Sequence, residues 1–277
     1  MSLWKPLSGR VGLVASAPTT PSAISVPSLY REAWGADPHG FQQAPNALMV
    51  AMAQGRKGNL NATCTVAPNR VDFGLSPVNQ PSMGSEPKLN LIDDSTVFHS
   101  ELLRIINELG TGAIKVPDQF DRAALFVQFA SIEPNVMEAN RAISATIPER
   151  YRPKLTNEEA FVLQVNLPRA IPQHDDVRVN FLTKWSVEQF QVFSLAVQAG
   201  GFQGGASAQA GMLAPRIQSF LGACITFDCS LASVAKTGLL DRERRAATFL
   251  EGLRLVSNAL VESGLNFKGF SNVNTTH

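Results

Sequence analysis

The sequence predicts an α+β protein, a mainly antiparallel sheet with helices packed on one face. Three observations carry this. Residues 241–264 (DRERRAATFLEGLRLVSNALVESG) place Ala246, Phe249, Leu250, Leu253, Val256 and Leu260 at steps of three or four, the spacing of one helix face. Most of the chain before them reads as short strands with alternating apolar positions. The order strand, short helix, three strands, helix then runs roughly twice, which predicts two similar halves, 1–110 and 111–277, with one continuous domain as the alternative.

Residues 10–16 form a short apolar run that reads as a strand, and 17–22 (APTTPS) as a loop. Residues 27–34 read as a helix opened by Pro27 and stopped by Gly35. Residues 47–53 and 60–66 are expected as strands around a turn at 54–59. After a turn at Pro68-Asn69, residues 70–75 alternate Val71, Phe73 and Leu75 in a third strand. The Pro-, Ser- and Asn-rich stretch 76–90 reads as a loop. Ser95 is expected to cap a helix to Leu109, with Val97, Phe98, Leu102, Ile105, Ile106 and Leu109 on its apolar side and Gly110 and Gly112 ending it.

The second half starts with a strand at 123–131, where Leu125, Val127 and Phe129 alternate. Asn135 with Glu138 resembles a capping box and opens a helix expected to reach Ile147, before Pro148. Strands follow at 161–167 and 177–185. Residues 186–198 fit neither helical nor strand period cleanly. Residues 200–211 are a Gly/Ala/Gln loop, 220–231 a strand, and the long helix closes the order, capped by Asp241 and Gly264. Ile24–Tyr30 and Ile114–Phe120 share an I-x-V-P-x-x-aromatic pattern at what the two-half reading takes as corresponding places.

A chain of 277 residues can bury a large core without metals or disulfides. Only 17% of it is charged, so Ser, Asn, Gln, Gly and Ala, or another subunit, must cover the surface; this favours self-association. A net charge of +1 gives no field that selects nucleic acid or an acidic membrane. No run approaches a membrane-spanning length, no signal-peptide pattern opens the chain, and Cys64, Cys224 and Cys229 sit in apolar strand-like runs as small hydrophobes. The expected setting is cytoplasmic and reducing.

Signatures of chemistry are sparse. There is no P-loop, dinucleotide-binding fingerprint or nucleophile elbow, and the glycines at 200–205 have no helix start directly behind them. The four histidines, His39, His99, His174 and His277, show no metal-ligand spacing. His99 reads as a partly exposed helix residue and His174 as part of a turn. No metal, cofactor or catalytic residue is assigned. Tyr30 to Phe41 (YREAWGADPHGF) is the most unusual string. Trp34, Asp37 and His39 could line a small-ligand or enzyme pocket there, although Tyr30 and Trp34 also suit a helix anchored in a core. Arg56 and Lys57 at a hairpin tip, with Arg242, Arg244 and Arg245 opening the last helix, are the candidates for a nucleic-acid grip, the less favoured alternative. Asp72 and Asp228 are expected on the solvent face of the sheet. The reading favoured by the sequence is an interaction or assembly protein without its own catalysis, paired with a protein partner or with itself.

Overall fold

The computed structural model describes residues 4–15, 24–43, 51–78, 88–117, 120–153, 159–171, 174–194, 216–232, 247 and 250–254. In chain order the strands are β1 Lys5–Ala15, β2 Gly40–Gln43, β3 Ala51–Lys57, β4 Leu60–Ala67, β5 Arg70–Pro77, β6 Phe120–Glu133, β7 Val162–Asn166, β8 Arg169–Ile171, β9 His174–Ser194 and β10 Arg216–Ala232. The helices are α1 Val26–Trp34, α2 Ser95–Thr111 and α3 Val136–Ser144, with one further helical turn at 250–254. The strands form a single antiparallel sheet in the order β2-β3-β4-β5-β1-β6-β10-β9-β7, with β8 beside β9.

Strand register separates the two faces. Ala53, Cys64, Phe73, Val11, Leu125, Cys229 and Phe181 are successive cross-strand partners, and all are buried. The helices cover this row. Helix α1 buries Leu29, Tyr30, Ala33 and Trp34 over β3 and β4, and α2 lays Phe98 and Leu102 over β1. Helix α3 buries Ala139, Ala142 and Ile143 against β6, β9 and β10. Gly252 rests on Cys229 and Leu125, so the turn at 250–254 joins the same layer. The next row, displaced by one residue, reads Met52, Thr65, Asp72, Gly12, Ala124, Ser230 and Asn180. Apart from Met52 its residues are small or polar, and no described helix covers it. Period-two alternation therefore produces one apolar, helix-covered face and one open face.

Several element ends differ from the sequence expectation for local reasons. Strand β3 continues through the expected turn to Lys57, because Gly58-Asn59 alone makes the hairpin, with Gly58 at φ 58°. Residues 47–50 lie outside the described residues. The cap of α2 is Asp94, not Ser95; its carboxylate accepts from the Thr96 and Val97 amides, which leaves Val97 on the exposed side. The helix runs through Gly110 and stops at Gly112, at φ 74°. His99 is buried within α2 rather than partly exposed. Helix α3 is capped by Asn135 as expected but ends at Ser144 rather than Ile147. The ambiguous segment is strand as far as Ser194, because β10 pairs with it throughout. Ile24–Tyr30 opens α1, whereas Ile114–Phe120 leads into β6, so the shared letters do not mark equivalent places.

The final helix is described only at 247 and 250–254, and Asp241, Ala246, Phe249, Val256, Leu260 and Gly264 lie outside the described residues. Leu253 is fully buried as expected, but Leu250 is 39% exposed. The inward face is instead set by Gly252 and Leu253.

Candidate functional site

The string singled out around Trp34 folds as local structure. Trp34 is buried in the core; its indole N–H donates to the Thr63 carbonyl at 3.3 Å, and the Arg104 guanidinium lies over its ring at 5.7 Å. Asp37 is exposed and paired with Arg31 at 2.7 Å. His39 is exposed, and its backbone N–H donates to Gln54. Phe41 belongs to the edge strand β2. The structure thus puts Trp34 inside and Asp37 and His39 outside, and among the described residues no side-chain hydrogen bond joins the three.

The basic hairpin is also tied to α1. Lys57 Nζ donates to the Trp34 carbonyl at 3.2 Å, and Arg104 donates to the Ala33 carbonyl at 2.7 Å. Both cations satisfy carbonyls that the end of α1 leaves without helical partners. Arg56 is exposed at the strand end. Arg242, Arg244 and Arg245 lie outside the described residues.

A feature the sequence reading missed lies at the centre of the open face. Arg10 on β1 and Phe126 on β6 are register partners, and the guanidinium stacks over the ring at 5.3 Å. Asp72, expected near Arg70, pairs with it at 2.7 Å and with Arg10 at 3.6 Å; its side chain is 14% exposed. Gly12 makes this possible, since a Cβ there would meet the Asp72 carboxylate at 2.5 Å. Arg122 and Asp228 are exposed beside them. Together Arg10, Arg70, Arg122, Phe126, Asn180 and Asp228 line a concavity of about 480 Å³. Arginine beside an aromatic ring is a residue combination enriched at protein contact surfaces.

A second polar group shares the open face on β6, β9 and β10. The Glu188 carboxylate accepts from Ser186 Oγ at 2.7 Å, Lys184 Nζ at 3.0 Å and Gln128 Nε2 at 3.2 Å. Burial alone would raise its pKa, but the bonds from Ser186, Lys184 and Gln128 and the Lys184 charge outweigh burial and hold it below its ordinary 4.5. A depressed carboxyl stabilises the fold above its unfolded pKa and loses that contribution as pH falls through the folded value. Glu188→Gln should therefore cost about 1 kcal/mol near neutrality. The difference should shrink below pH 4.5 in denaturant unfolding run across pH. A gap that is constant with pH would contradict the assignment.

The cysteines offer no nucleophile. All three are free and buried, and burial, with Asp72, Glu188 or Asp228 nearby, pushes each thiol up. Among the described residues no cluster of His, Cys, Asp and Glu could hold a metal, and no helix is long and apolar enough to cross a membrane. No protein-family model, curated protein or solved structure matches the chain.

Proposed function

We propose that the protein is a cytoplasmic interaction or assembly factor that acts by protein–protein contact and carries no catalysis of its own. One observation carries the reading: the helices cover one face of a ten-stranded sheet, while the other face, among the described residues, has an Arg10–Phe126–Arg122 concavity at its centre and no covering helix. A sheet face with an arginine–aromatic centre is a surface suited to a partner. The low charge of the chain supports the same reading.

The element order supports a duplicated origin as part of this proposal. Strands β1 and β6 lie side by side and antiparallel at the middle, with β5 beside β1 and β10 beside β6. Each half then extends outward from its own first strand.

Size-exclusion chromatography with light scattering tests the reading. It expects a mass above the 29.9 kDa of one chain, or a protein that co-elutes. A clean monomer at high concentration with no co-purifying protein contradicts it.

A further inference from the structure

We propose that the outer edge of β9 is a self-pairing site, through which two copies of this chain join their sheets. The proposal rests on the protein-contact reading above and names one partner and one surface for it.

Strand β9 is longer than its neighbour β7. Pairing on that side ends at Ser186 opposite Val162, with a last bond from the Val187 amide to the Phe161 carbonyl. On the other side, β10 leaves β6 at Leu221 opposite Glu133. From there to Ser194 and Arg216 the two strands pair only with each other among the described residues, with Phe190 opposite Phe220 and Val192 opposite Gln218. A two-stranded ribbon alone is marginally stable in water. This one also presents Ile217 at 57% exposure.

Among the described residues nothing pairs with this edge beyond Val187. Natural sheets protect free edges with charges, proline or bulges. The stretch Gln189-Phe190-Gln191-Val192-Phe193-Ser194 has neither charge nor proline, and between Gln189 and Phe220 the sequence carries one charge, Arg216. Such an edge offers nothing to select a charged partner. It is, however, compatible with itself, because no like charges meet when the strand is rotated onto its own copy.

Backbone direction fixes the register. The Val187 amide and the Phe181 carbonyl both point toward the β7 side, so the odd-numbered residues of β9 aim their N–H and C=O groups outward. On the free stretch these belong to Gln189, Gln191 and Phe193. A two-fold axis at Gln191 places it opposite its own copy and sets Gln189 opposite Phe193 of the second chain. Every outward group of the three is then bonded, and Phe190 faces Val192 across the axis, an aromatic–β-branched pair. Glu188 stays at the end of the paired stretch.

Gln191 is exposed, so charges placed there need not disturb the core. The test uses the full chain with Gln191→Lys, Gln191→Glu and the neutral Gln191→Asn, each checked for an unchanged circular dichroism spectrum and a cooperative melt. Directly opposed like charges destabilise an antiparallel pair, and opposite charges support it. The wild type and Gln191→Asn should give twice 29.9 kDa by light scattering, Gln191→Lys and Gln191→Glu alone should each fall to 29.9 kDa, and their equimolar mixture should return to twice that mass. If the wild type assembles but Gln191→Lys assembles equally well, or the mixture fails to recover, the β9 edge is not the self-pairing site while the protein-contact reading stands. A wild type that is monomeric and partnerless overturns both.

Discussion

Trp34→Ala should lower the unfolding free energy by about 3–5 kcal/mol, the range for removing a large buried aromatic. Trp34 is 1% exposed at the last position of α1. Its ring packs on Tyr30 at 6.5 Å between centroids, supports Arg104, and donates through its indole to Thr63 on β4. The substitution therefore removes packing, one hydrogen bond and the platform of the cation that satisfies the Ala33 carbonyl. Asp37→Ala, in an exposed ion pair with Arg31, should cost no more than about 0.5 kcal/mol. Denaturant melts of both variants check this. A small loss for Trp34→Ala would mean that α1 is not seated on β3 and β4, and the string would regain its claim to be a ligand-binding loop.

Leu253→Ala should cost about 2–5 kcal/mol, since Leu253 is fully buried beside Gly252, which lies against Cys229 and Leu125. Arg254 sits one position on, turned away from the core, but it is not a bare surface residue. It donates to both oxygens of Glu251, at 2.6 and 2.7 Å, and the Glu251 side chain is only 10% exposed. Arg254→Ala strips that carboxylate of its partner and should cost about 1 kcal/mol, above the roughly 0.5 kcal/mol of a free surface position. Equal, small losses for the two variants would show that this helix is an arm waiting for another chain.

The two faces of the sheet explain what the sequence could and could not reveal. Val71, Phe73 and Leu75, or Leu125, Val127 and Phe129, alternate plainly, so the strands and their buried side were legible one at a time. The helix-covered layer followed from Phe98, Leu102 and Leu253. Cross-strand register was not legible. Arg10, Arg70 and Arg122 are scattered in the chain, and only the pairing of β1 with both β5 and β6 gathers them beside Phe126. Asp72 was correctly placed near Arg70, because that pair is two residues apart on one strand. Strand β2 was missed, since Gly40-Phe41-Gln42-Gln43 is short and lacks alternation; its partner β3 makes it a strand. The length of β9 was missed for the same reason, because β10 rather than local periodicity holds residues 187–194 extended.

Hydroxyl-radical footprinting of the dilute, isolated chain tests the one-sided layering most directly. Met52 and Phe126 lie on the open face, and Phe98 and Phe129 lie under the helices with no exposure. Met52 and Phe126 should oxidise readily, with Phe98 and Phe129 unmodified until the protein unfolds. Protection of Met52 and Phe126 equal to that of Phe129 would show that the chain covers its own second face, and the surface proposed for a partner would not exist.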